Sequence, residues 1–210
     1  MHKFIHFAFQ QFYTTFAWTY DAVASLVSFG EWKVWGEAAL ECVPSGARIL
    51  EIAHGPGHLH ATMRRRGFNV VSLDRSPQMA RQLRHRTQAN QLAPRQLLAD
   101  AHTLPFADAH FDCVVSTFPA EFIFAPATLA EVRRVLAPGG RFVIVPSAAF
   151  RKADAPTRLV QLAYHLTGQN TAKADVSPIR RRFESAGFSF EQHTVATRRA
   201  DVMVWVLTQT

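Results

Sequence analysis

Three carboxylates and a glycine turn are the groups in this chain best placed to do chemistry. The segment Ile49 to His60 reads ILEIAHGPGHLH: an apolar run carrying Glu51, the turn Gly55-Pro56-Gly57, then the start of a helical pattern. Glycine lacks a Cβ and accepts positive φ, so the backbone of such a turn can come close to a ligand. A second apolar run ends in Asp74, nineteen positions beyond Gly55. From there a carboxylate can accept both hydrogen bonds of a ribose diol, although it can also cap the turn toward Ser76 and Pro77. A third run ends in Asp100, where a carboxylate can accept from an exocyclic amine. Taken together the three fit an adenosine-containing ligand.

Other phosphate and nucleotide loops do not fit. A dinucleotide fingerprint needs a third glycine, and the frame Gly55-Pro56-Gly57-His58-Leu59-His60 puts His60 at that position. No Gly-Lys-Ser/Thr follows, so there is no lysine to meet phosphates. Five histidines, His54, His58, His60, His102 and His110, fall near this expected edge and could serve as a general base. The sequence assigns none of them. A structural role is the simpler reading for each, and His54 with His60 as metal ligands is weaker still, so no metal is expected.

These residues need elements to hold them. Strands are expected at 48–52, 69–74, 95–100, 111–116 and 141–145, several apolar at successive positions, as when both faces of a sheet are buried. Helices alternate with them: 59–66, ending at Gly67; Pro77 to about Asn90, with Ser76 as cap; and 127–136, followed by Pro138-Gly139-Gly140. Ser177-Pro178 is expected to cap and start a further helix that stops at Gly187. Segments 188–196 and 201–207 are joined too tightly for a helical crossover and are expected to form an antiparallel hairpin. The pattern is α/β, built around a largely parallel sheet.

The 210 residues, 48% apolar and 19% charged, exclude disorder and collagen-like structure. Two cysteines, Cys42 and Cys113, are too few for a disulfide framework or a four-ligand zinc site, which sets a cytoplasmic expectation. No run of 18 apolar residues occurs, so no spanning helix is expected. Ile5, Phe9, Phe12 and Phe16 share one helical stripe in an aromatic N-terminal segment. That stripe can pack on the body of the protein, close over an apolar pocket or touch a membrane surface. The formal charge is +7, carried largely by arginine clusters at 64–66, 133–134, 180–182 and 198–199. Some fall at expected helix ends, where cations meet exposed carbonyls; nucleic acid is the alternative partner they suggest.

Five segments together resemble the class I S-adenosylmethionine-dependent methyltransferases, in their small-molecule, methyltransferase type 11-like branch. They are Glu51-Ile52-Ala53-His54-Gly55-Pro56-Gly57, Asp74-Arg75-Ser76-Pro77-Gln78-Met79, Asp100-Ala101 with Leu104-Pro105-Phe106, Phe111 to Ser116, and Leu136-Ala137-Pro138-Gly139-Gly140-Arg141. The resemblance implies a Rossmann-like, doubly wound seven-stranded sheet of order 3-2-1-4-5-7-6 with strand 7 antiparallel, helices on both faces and an N-terminal helical cap. It implies one domain over 1–210: a cap or lid at 1–44, a cofactor core at 45–147, and C-terminal helices and hairpin at 148–210. The implied cofactor is S-adenosyl-L-methionine, leaving as S-adenosyl-L-homocysteine. Its expected contacts are Glu51, Ala53, His54, Gly55, Pro56, Gly57, Asp74, Arg75, Met79, Asp100, Ala101, Ser116 and Thr117. Ala53 stands where the family usually has glycine, which predicts a narrower space beside the methionine moiety or a negative φ there.

Methyl transfer is an in-line substitution, so alignment and exclusion of water come first. The acceptor is expected to be an apolar or aromatic small molecule, with Tyr13, Tyr20, Phe118 and Pro119 lining its place. Packing of Phe118, Phe122 and Phe124 under the next helix competes with that role. Pro119 is followed by Ala120, so the paired-proline tetrad of amino-methylating enzymes is missing, and no Pro-Cys pair supports cytosine chemistry. The alternative is an RNA-binding methyltransferase using the basic surface. No catalytic residue and no oligomeric state are assigned.

Overall fold

The computed structural model describes residues 28, 30–151 and 176–210. Tyr13, Tyr20 and the aromatic stripe at 5–16 lie outside the described residues. The elements are α1 (Trp32–Glu37), a 3-10 turn (Ala38–Cys42), β1 (Arg48–Ile52), α2 (His58–Arg65), β2 (Asn69–Asp74), α3 (Pro77–Ala89), β3 (Gln96–Leu98) and β4 (Phe111–Thr117). After a second 3-10 turn (Glu121–Phe124) come α4 (Pro126–Val135), β5 (Leu136–Phe150), α5 (Ser177–Ser185), β6 (Phe188–Ala196) and β7 (Ala200–Gln209).

One sheet of seven strands runs β3-β2-β1-β4-β5-β7-β6. β1 through β5 are parallel, and β7 is antiparallel to both β5 and β6. This is the order expected from the sequence. The chain leaves β1 toward β2 on one side and returns to β4 on the other, so a crevice opens between the ends of β1 and β4. Both faces of the sheet are covered. Leu50, Ile52, Val114, Phe142 and Ile144 pack with Leu129, Val132 and Phe183 on one side; Ile49, Val115, Val143 and Val145 pack with Trp35, Leu59 and Met63 on the other.

Local chemistry sets the boundaries. Ser76 Oγ accepts from the Met79 N–H and Pro77 occupies the first turn of α3, as expected. At α5 the expected cap shifts: Val176 is the N-cap, Ser177 the first helical residue, and Pro178 follows it. First-turn N–H groups have no intrahelical acceptor, so proline fits at the second position as well. β3 is shorter than expected, as befits an edge strand paired only to β2. β5 is longer, because Pro138-Gly139-Gly140 is absorbed as an irregularity between the pairs Phe111/Leu136 and Cys113/Arg141.

Side chains also fasten α1 to the body. Buried Glu31 accepts from Trp35 Nε1 at 3.3 Å and Arg198 Nε at 3.2 Å, while Glu37 accepts from Thr62 Oγ1 at 3.0 Å and pairs with Arg66. The first links the helix to the β6–β7 turn and the second to α2. Among the described residues, no helix is long and apolar enough to cross a membrane.

Candidate functional site

The carboxyl ends of β1, β2 and β4 bring most of the expected residues to one edge. β1 ends at Ile52 and the chain turns through Ala53 to Gly57 into α2. Ala53 has φ +55, not the negative value expected of an alanine there. The turn geometry overrides the residue's preference, and strain of about 1–2 kcal/mol is borne by the surrounding hydrogen bonds. Gly55 has φ +53, and a Cβ built on it would meet nothing within 4 Å, so open ground lies in front of it. Gly57 is the opposite case: with φ +80, its Cβ would stand 2.5 Å from Leu83 Cγ of α3. Only glycine lets the turn lie against that helix.

Asp74 fastens the turn. Its Oδ2 accepts the Gly55 N–H at 2.9 Å and its Oδ1 the Ser76 N–H at 2.8 Å. The turn-capping role is therefore present, and each oxygen retains a lone pair for a ligand hydroxyl. Arg75 beside it is exposed, and Met79 is buried under the first turn of α3. Asp100 lies past the end of β3, about half exposed. Its Oδ1 accepts the His102 N–H at 2.9 Å and lies 2.5 Å from His102 Nδ1. These bonds from His102 hold its carboxyl below the usual range. Ala101 next to it is buried.

A closed polar cluster lies below the glycine turn. Glu51 is 1% exposed, and Ser72 and His60 are fully buried. Ser72 Oγ donates to Glu51 Oε2 at 2.7 Å and meets His60 Nδ1, which stands 3.7 Å from the same carboxyl oxygen. Burial pushes the Glu51 carboxyl up to about 8, with partial relief from Ser72 and added repulsion from Asp74. Burial lowers His60 to about 4, helped by His54 and Arg64. At neutral pH the contact is thus between uncharged groups, not an ion pair. His54 is buried, its Nδ1 2.7 Å from the Gly55 carbonyl and its Nε2 without a partner. Desolvation lowers its pKa, so Nδ1–H donates to the carbonyl and Nε2 is an orphaned acceptor at the turn.

The β4 side is apolar. Ser116 is fully buried and donates to the Ile52 carbonyl at 3.1 Å, so its hydroxyl ties β4 to β1 rather than facing a ligand. Thr117, Phe118 and Pro119 are half-buried. Phe118 has φ +49 and donates its N–H to the Val145 carbonyl at 2.7 Å. Its ring stacks on Trp32 of α1, centroids 3.9 Å apart and planes 27° apart. Ala53 and Phe118, both in the left-handed region, thus follow the two strands that border the crevice. Cys113 on β4 is buried, and desolvation pushes its thiol up to about 12, so it offers no thiolate. Among the described residues no cluster could hold a metal ion.

Sequence reasoning found the strand-end acids but missed Ser72, Trp32 as Phe118's partner, and His60's place. A lone serine inside the apolar run Asn69–Asp74 is the one local signal that pointed to Ser72. His58 and His110 stay at the surface side, His110 against Phe106 and Phe111.

Residues 50–144 match the family described as "Methyltransferase domain". The chain carries a class I methyltransferase domain. It is 38% identical over 141 residues to a demethylmenaquinone methyltransferase of Thermus thermophilus, covering 62% of this chain and 64% of the relative. It is 29% identical over 194 residues to a ubiquinone/menaquinone biosynthesis C-methyltransferase of Erwinia tasmaniensis, covering 87% and 77%. The chain thus spans a little under two thirds of the length of the Thermus relative. Among solved structures, a putative S-adenosyl-L-methionine-dependent methyltransferase of Methanococcus maripaludis superposes with a TM-score of 0.65 at 16% identity, covering 92% of both chains. The magnesium protoporphyrin IX methyltransferase of Synechocystis, solved with bound SAH, gives 0.56 at 15% identity, covering 84% of this chain and 80% of that one.

S-adenosyl-L-methionine is the cofactor named for the Methanococcus neighbour, and the residues present here suit it. The open ground before Gly55 leaves room for backbone to meet a ligand. The orphaned His54 Nε2 wants a donor such as an ammonium, and Asp74 has unused acceptor capacity on both oxygens.

Proposed function

We propose that this protein transfers a methyl group from S-adenosyl-L-methionine to a ring carbon of a planar, apolar acceptor of the hydroquinone type. The observation that carries this reading is the meeting, at one crevice, of a polar donor side (Gly55, Asp74, Asp100) with an aromatic surface (Trp32 on Phe118). Asp74 takes the ribose hydroxyls and Asp100 the adenine amine, with Met79 and Ala101 against the adenine. The turn from Ala53 to Gly57, with Glu51 beneath it, takes the methionine end, and Thr117 borders the transferred methyl. Trp32, Phe118 and Pro119 face the acceptor. Quinone-ring acceptors are named in the Thermus and Erwinia relatives, and an electron-rich ring stacks well on such a pair.

The bound cofactor supplies an electrophilic methyl carbon; the chain supplies alignment and dryness. Fixing the donor by its ribose and base leaves one approach line, and an aromatic wall excludes water, the competing nucleophile. A hydroquinone carbon is itself nucleophilic, so no base at the acceptor is required as the bond to the methyl forms; the hydrogen on that carbon then leaves as a proton to solvent when the ring regains its aromaticity.

The basic surface does not favour an RNA substrate. Arg133, Arg181 and Arg182 border a groove of about 820 Å³ that also includes Asp108, Leu136 and Pro138. Asp108, Arg133, Leu136 and Pro138 lie at the amino ends of β4 and β5, the sheet edge opposite Asp74 and Asp100, and Arg181 and Arg182 reach the same groove from α5.

The test is transfer of labelled methyl from S-adenosyl-L-methionine to a reduced demethylmenaquinone with a short side chain. Label should appear on the ring. Cofactor binding with no transfer to any hydroquinone would overturn the acceptor, and absence of cofactor binding would overturn the donor site.

A further inference from the structure

The cluster of Glu51, Ser72 and His60 is more elaborate than a strand end needs. Ser72 is not a nucleophile in waiting, because it is fully buried and no substrate reaches its oxygen. Donor counting shows how the protons lie. The Ser72 hydroxyl has one hydrogen to share between Glu51 Oε2 and His60 Nδ1. Were it given to His60, the ring's hydrogen would sit on Nε2, a buried position without an acceptor. A buried N–H left unpaired is the costlier arrangement. Nδ1–H therefore donates to Ser72, Ser72 donates to Oε2, and Nε2 keeps a bare lone pair. With Oε2 occupied by an incoming hydrogen bond, the acid proton of Glu51 belongs on Oε1.

We propose that His60, acting through Ser72, is a positioning residue that holds Glu51 as a neutral acid with Oε1 toward the donor site, and that binding the α-ammonium at the methionine end of the cofactor expels that proton. This rests on the donor site proposed above. On binding, the O–H bond of the carboxyl breaks, its electron pair stays on Oε1, and the proton passes to solvent. The ammonium brought in by the ligand then replaces the charge that leaves.

The surroundings favour this exchange. Asp74 on β2 is the nearest like charge, His54 in the turn is neutral, and His60 and Arg64 are the titratable groups that α2 contributes. β4 opposes Glu51 with Val115. On α1, Glu31 and Glu37 are turned to other partners, Trp35 with Arg198, and Thr62 with Arg66. The carboxyl so placed is held above its usual range and the imidazole below it, to about 8 and about 4.

Calorimetry of S-adenosyl-L-homocysteine binding in phosphate and in Tris tests the proposal, since the two buffers take up protons with different heats. At pH 7 close to one proton, about 0.9, should leave per molecule bound, and Kd should tighten roughly tenfold from pH 6 to 7 and level off above pH 8. Glu51→Gln should bind with no proton release. His60→Leu, checked for folding by its melting curve, should lose more than half of the release, and His60→Asn should restore it by returning an N–H to Ser72. Binding with equal heats in both buffers and a flat Kd would overturn this inference and leave the donor site standing; so would release persisting in Glu51→Gln or unchanged in His60→Leu. No binding at any pH would overturn both. The wild-type and Glu51→Gln arms decide the matter even if His60→Leu does not fold.

Discussion

The two banks of the crevice are built on opposite plans. On the β1–β2 bank most polar groups are already committed: Asp74 to two backbone N–H groups, Glu51 to Ser72, His54 to the Gly55 carbonyl. On the β4 bank the one fully buried hydroxyl, on Ser116, turns inward to Ile52, and the surface left is aromatic. A bank fixed by such hydrogen bonds presents its remaining acceptors in one arrangement, and a ligand without matching donors leaves them unpaired. A stacked aromatic pair selects flatness and apolarity, and tolerates variation in the rest of the ligand. The difference explains why the donor is easier to name than the acceptor.

The largest test of this contrast falls on the polar bank. Asp74→Ala should weaken S-adenosyl-L-homocysteine binding by about 100-fold, some 2.7 kcal/mol. It should also lower the melting temperature, since Gly55 and Ser76 lose their acceptor; Asp74→Asn, which keeps an acceptor oxygen, should recover part of the stability but little of the affinity. Equal affinity in Asp74→Ala would remove the ribose assignment. Trp32→Ala strikes the other bank: acceptor KM should rise about tenfold, with donor Kd unchanged, in keeping with a stacking contribution of about 0.5–1.5 kcal/mol plus lost area. A change in donor Kd and not in acceptor KM would reverse the two banks.

The smallest effect is on stability against pH. The Glu51 carboxyl titrates near 8 in the fold and near 4.5 unfolded, so the folded state binds the extra proton and stability falls as pH rises between those values. His60 titrates near 4 in the fold against 6.5 unfolded, so its contribution rises with pH up to 6.5. The two offset each other from about 4.5 to 6.5. The melting temperature of the ligand-free protein should decline only from 6.5 to 8, by on the order of 5 °C. In Glu51→Gln that decline should vanish, leaving the rise below 6.5; a decline that survives the substitution belongs to another group.

Much of this architecture could be read from local pattern. Buried runs ending in acid marked β1 and β2, and Ser76-Pro77 marked α3, because these signals lie within a few residues of one another. The strand order came from the resemblance and agrees with the sheet. What stayed hidden depends on contacts distant in sequence. His60 was one of five histidines with equal claims until Ser72 and Glu51 were seen beside it, and Trp32 meets Phe118 only when α1 lies over the end of β4. Of the two readings of Ala53, the negative φ is not adopted for a related reason: it rested on the residue's own preference, whereas the turn as a whole, with the Gly55 N–H donating to Asp74, holds Ala53 at φ +55. Tyr13 and Tyr20, expected to line the acceptor's place, fall outside the described residues.

Gly57 sits so close to Leu83 that the volumes at these two positions form a single quantity. A methyl added at 57 would press on Leu83 in the second turn of α3, and the backbone there, at φ +80, would stay strained even if Leu83 gave way. Loosening this contact is therefore open at Leu83, a fully buried side chain, and closed at 57, where the backbone itself demands glycine.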